Sequence, residues 1–187
     1  LYIFKMLSDI ELKQKFEILT NKLKAGLYED VIIISKILLK RRKHQVLFNI
    51  LCIAYQNLGK FNESIEVMDE ALRANPKNPH FLNNMGIGHY KLDNFDKAEY
   101  FFKRGLEIEP NYINILNNLG NLKRDLNHTN EAIEFYKKSL SIKSDLVQVL
   151  FNLSLSYESI GDFENAKKYL KKIQDYQPQF TEADRLY

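Results

Sequence analysis

The stretches FLNNMG, Phe81 to Gly86, and ILNNLG, Ile115 to Gly120, place the same asparagine pair before a bulky apolar residue and a glycine, 34 positions apart. A repeat period of roughly 20 to 50 residues decides a fold before any local propensity does. Extended outward at this spacing, residues 45–78, 79–112, 113–146 and 147–180 align without a gap. The eighth column holds Cys52, Gly86, Gly120 and Ser154, and the twentieth holds Ser64, Ala98, Ala132 and Ala166. All are small, as they must be where two helices cross with no side chain between their backbones. The fourth and seventh columns are bulky and apolar: Phe48, Leu82, Leu116 and Leu150, then Leu51, Met85, Leu119 and Leu153. In the twenty-fourth stand Met68, Phe102, Tyr136 and Leu170.

Apolar residues within each unit recur at helical spacing, and LGKF, LDNF, LNHT and IGDF interrupt the pattern in mid-unit. The pattern predicts two antiparallel helices per unit. Pro76, Pro110 and Pro178 stop the second helix, with Ser144 in that place in the third unit. Asn78 before Pro79 reads as an N-cap followed by proline in the first helical turn. Upstream, AGLYEDVIIISKILL echoes LGKFNESIEVMDEAL at a displacement of 33, so residues 9–44 read as a degenerate first repeat with an unusually apolar run, Val31 to Ile34. FTEADRLY, residues 180–187, reads as the start of a capping or following helix. The whole of 1–187 is expected to be one solenoid domain.

These columns resemble those of the tetratricopeptide repeat family, whose 34-residue units are shorter than HEAT or armadillo repeats. The resemblance implies an all-α, right-handed α-solenoid of antiparallel helix pairs that binds protein segments. His89 and Lys123 depart from it, standing in the column filled by Tyr55 and Tyr157.

Composition excludes more than it assigns. The formal net charge of +3 demands neither nucleic acid nor an anionic membrane as partner, and the local surplus in KRRKH, Lys40 to His44, reads as a solvated helix end. One cysteine, Cys52, rules out an internal disulfide and fits a reducing, cytoplasmic setting. His44, His80, His89 and His128 lack the spacing of a metal site, and no acid, base and nucleophile set emerges. No cofactor, metal or catalytic residue is expected in this chain.

Surface is left to carry function. On a helical wheel, columns 2, 6, 9 and 13 of the first helix lie opposite its core face. If the units stack as the resemblance implies, these columns line a concave groove. They run from Val46, Ile50 and Ile53, through His80, Asn84 and Ile87, to Asn114, Asn118 and Asn121, then Gln148 and Asn152. A carboxamide both donates and accepts, so asparagines in register suit a peptide backbone whatever its side chains. Asn84, Asn118 and Asn152 in the sixth column resemble the asparagine ladder in the repeat superhelix of O-linked N-acetylglucosamine transferase, which implies binding of an extended peptide or protein segment. Two other readings stand beside it. One is a substrate-presenting arm of a larger glycosyltransferase or sulfotransferase; the other is self-association through the apolar N-terminal repeat.

Overall fold

The computed structural model describes residues 9–179, so the reading of residues 180–187 as a capping helix lies outside the described residues. Among these the chain is all helical: α1 (Asp9–Lys24), α2 (Tyr28–Arg41), α3 (Gln45–Asn57), α4 (Phe61–Ala74), α5 (Pro79–Lys91), α6 (Phe95–Ile108), α7 (Ile113–Asp125), α8 (Thr129–Ile142), α9 (Val147–Ser159) and α10 (Phe163–Tyr176). The chain divides into two compact units, Leu1–Ile108 and Glu109–Tyr187. Helices α1 to α6 belong to the first and α7 to α10 to the second.

Each pair turns by one mechanism. Gly26, Gly59 and Gly161 adopt positive φ, and the equivalent places in the other two turns are taken by Asp93 at 57° and Asn127 at 61°. Short polar side chains are the non-glycine residues that best tolerate this left-handed region. Around each, two backbone N–H groups return to the last turn of the preceding helix. Gly59 N–H donates to the Gln56 carbonyl and Lys60 N–H to that of Tyr55, and the same pairing recurs from Asn127 to Arg124 and from His128 to Lys123. This is the Schellman arrangement, which satisfies carbonyls that a helix end would leave bare. The N-cap on α5 is built as its sequence suggests, with Asn78 Oδ1 accepting from the N–H groups of His80 at 2.9 Å and Phe81 at 3.3 Å. Ser144, standing where other units have proline, leaves α8 ending at Ile142 all the same.

The small columns are where paired helices touch. A Cβ added to Gly86 would stand 2.5 Å from Phe102 Cε1, and one added to Gly120 would stand 2.4 Å from Tyr136 Cε1. Glycine therefore occurs where the twenty-fourth column is aromatic. Where that column is Met68, Cys52 is tolerated, and the two share one buried cluster with Phe48, Ala71, Phe81 and Met85. Burial pushes the Cys52 thiol up to about 12, which makes it a packing group and not a nucleophile.

The two departures in the tyrosine column are accommodated differently. Lys123 is buried and its Nζ lies 3.0 Å from a Glu131 carboxylate oxygen, in the first turn of the paired helix α8. His89 stacks on Phe101, with ring centroids 5.5 Å apart and planes 2° from parallel.

Candidate functional site

The expected groove residues all lie on first helices, α3, α5, α7 and α9, but at three depths. His80, Asn114, Gln148 and Ile53 are exposed, whereas Val46, Asn84, Ile87, Asn118 and Asn121 are half-buried. Ile50 and Asn152 are buried, each only 6% exposed.

Burial of Ile50 corrects the expectation of an apolar groove end. Ile50 joins Leu12, Leu19, Val31, Leu47 and Leu51 in the core of the first repeats, and Val46 packs against the same cluster. Helix α1 stacks beside α3 and covers them, so their apolar character is explained by contacts within the chain. Ile53 alone of the three remains open, at 39% exposure. The run Val31 to Ile34 divides in the same way: Val31 and Ile32 are buried, Ile34 is half-buried, and Ile33 is exposed.

In the first unit, Asn84 Nδ2 donates to Asn49 Oδ1 on α3 at 3.1 Å, and Gln56 Nε2 donates to the Asn84 backbone carbonyl at 3.0 Å. These bonds tie the first helices of adjacent repeats together side by side. Its neighbour Asn83 is buried, and Asn83 Nδ2 lies 3.5 Å from Asn84 Oδ1.

The second unit builds a denser network from α7, α8 and α9. Asn152 Nδ2 donates to Asn121 Oδ1 at 2.9 Å, and the Tyr136 hydroxyl donates to that same oxygen at 2.8 Å. Asn152 Oδ1 in turn accepts from Arg124 Nη1 and from Gln148 Nε2, both at 3.3 Å. Arg124 also places Nη2 3.4 Å from Asp125 Oδ1. The Tyr136 phenol is held protonated by burial, which keeps it a donor. With an oxygen accepting twice and a nitrogen donating, the Asn152 carboxamide is a structural link between α7 and α9. Its orientation is fixed by its partners, and a buried amide of this kind is costly to leave unpaired.

Asn49, Gln56, Arg124 and Tyr136 enter these networks although the groove columns do not include them. Two had a signal in the sequence. A tyrosine in a column otherwise Met, Phe and Leu has a hydroxyl that must find a partner, and Arg124 follows Asn121 by three residues, one helical turn along the same face. Among the described residues no group of three or more His, Cys, Asp or Glu is placed to hold a metal ion, and no helix is long and apolar enough to cross a membrane.

Comparison with curated proteins gives no match. Solved structures with the same arrangement include a MamA protein, 23% identical over 87% of this chain and 90% of that one, with a TM-score of 0.69. A thermophilic TPR protein of Thermus thermophilus, TTC0263, is 15% identical, covers 93% of this chain and 94% of its own, and reaches a TM-score of 0.80. MamA from residue 41 onward of Desulfovibrio magneticus RS-1 is 18% identical over 90% of this chain and 97% of that one, with a TM-score of 0.73. Such identities speak to the fold. Family models described as tetratricopeptide repeat match residues 82–145, and residues 44–78 and 147–180, which are the stretches whose small and bulky columns meet in the helix pairs above. With its period, its paired helices and these matches in agreement, the chain belongs to the tetratricopeptide repeat family.

Proposed function

We propose that this protein-interaction scaffold binds extended protein segments on the carboxamide-bearing faces of the first helices within each of its two units, chiefly through the segments' backbone. The observation that carries the reading is the graded exposure of those side chains. Asn114 and Gln148 are open, Asn84, Asn118 and Asn121 are half-open, and Asn152, bonded to Asn121, is buried. Asn84 donates through Nδ2 to Asn49. A carboxamide carries two N–H groups and two lone pairs, so hydrogen-bonding capacity remains for a partner. Ile53 and Ile87 add apolar contact, and His80 a polar one.

Titration calorimetry with a peptide selected by display against the intact chain tests this. The double variant Asn84→Ala, Asn118→Ala is expected to bind about tenfold more weakly with unchanged helicity, two net hydrogen bonds being worth roughly 1 to 3 kcal/mol. Equal affinity in that variant removes the carboxamides from the interaction.

A further inference from the structure

A recess lies outside the carboxamide-bearing faces, at the C-terminal end of α4, the second helix of the first full repeat. Its walls are Phe48 of α3, Ala71 and Ala74 of α4, and Phe81 of α5, and Lys43 and His44 stand at its mouth; the cavity measures about 130 Å³. An apolar cavity of about 150 Å³ accepts a benzene ring. Ala74 is the smallest residue of its column. That column is the thirtieth, where the other three units carry Ile108, Ile142 and Tyr176. A large apolar side chain is thus the rule at this place in the repeat, and here the chain does not supply it.

The walls favour an aromatic guest. Phe48 and Phe81 meet edge to face, with centroids 6.3 Å apart and planes at 75°, and both are buried, so the recess is floored by an aromatic pair that suits a planar apolar guest. The mouth favours an anion beside that ring. His44 Nδ1 accepts from Val46 N–H at 3.2 Å, so the neutral imidazole carries its proton on Nε2 as a donor. Lys43 Nζ is 2.7 Å from Glu70 Oε1, but this pair is more than half exposed on both sides. Exposed pairs hold weakly, and an ammonium has three donors, so a second carboxylate can share it.

We propose that this recess receives the phenyl ring of a partner protein's phenylalanine whose adjacent acidic residue lies against Lys43 and His44. It is a site separate from the carboxamide-bearing faces, and it stands or falls independently of the reading above.

The test is a nuclear magnetic resonance titration of the full chain, following the rings of Phe48 and Phe81 and the methyls of Ala71 and Ala74. The probes are the capped hexapeptides GSFEGS, GSFQGS and GSAEGS. GSFEGS is expected to shift those resonances saturably, GSFQGS to do so with about two- to fivefold weaker affinity, the size of one exposed ion pair, and GSAEGS to leave them in place. Lys43→Gln should reduce GSFEGS to the level of GSFQGS. Ala74→Ile, which installs the residue of the neighbouring repeats, should abolish the shifts with circular dichroism and Tm retained. Shifts from GSAEGS equal to those from GSFEGS, no saturable shift, or full binding by Ala74→Ile would each overturn the proposal. So would concentration-dependent dimerisation that Ala74→Ile removes, because the guest would then be a second copy of this chain.

Discussion

At the scale of single residues, the chain uses polar groups in apolar columns and holds them neutral or paired. His89 is the clearest case. Burial lowers its pKa below the ordinary 6.5, Lys97 lowers it further, and Asp69 acts in the opposite sense. His44 is likewise lowered, by burial first and then by Arg42. Because the folded pKa is depressed, the unfolded chain takes up the proton first on acidification. The contribution to stability is complete above about pH 6.5 and is lost as pH falls through the folded-state value. The unfolding midpoint in urea is therefore expected to fall between pH 7 and pH 5, and to fall less in His89→Tyr, which carries the residue of Tyr55 and Tyr157. An identical pH profile in the variant would exclude His89 as a source. Asn152 differs from its column mates Asn84 and Asn118 in being buried. Asn152→Ala is expected to cost about 1 to 3 kcal/mol of stability in denaturant unfolding, by stranding the partners of a buried amide.

At the scale of the helix pair, stability turns on the match between the eighth and twenty-fourth columns. Gly120→Ala drives a Cβ to within 2.4 Å of the Tyr136 ring, and that ring cannot swing away freely while its hydroxyl is bonded to Asn121. The substitution is expected to cost about 1 to 3 kcal/mol by overpacking. Tyr136→Leu, which copies the Leu170 opposite Ser154, removes the clash and forfeits the hydroxyl's bond. A double-mutant cycle read by thermal melts should show Gly120→Ala costing far less in the Tyr136→Leu background. Additive losses would mean that the two columns do not meet as described.

At the scale of the whole molecule, the period and the small columns were legible because contacts within a repeat recur at fixed spacing. The depth of the residues expected to line a groove was not. A wheel places Ile50 opposite its own unit's core, but only the stacking of α1 beside α3 shows that the far side is covered too. Nor could it show Arg124 reaching Asn152 on another helix, because the span of a long side chain follows from how helices pack. The N-terminal repeat keeps Ile33 and Ile37 exposed at 58% and 50%, one helical turn apart on α2. Self-association through this face predicts sedimentation that rises with concentration in the intact chain and becomes that of a monomer in Ile33→Glu, Ile37→Glu. A monomer at every concentration in both would dismiss it.

The shared turn has a consequence for engineering. Among the described residues five hairpins use one left-handed backbone position, and two of them fill it with residues that bear a Cβ, Asp93 and Asn127. Replacing both by glycine relieves strain away from the carboxamide-bearing faces, and each change is expected to raise stability by about 0.5 kcal/mol in urea unfolding. The turns thus hold a reserve of stability separable from the carboxamide-bearing faces, and it can be drawn on to offset losses from altering those faces.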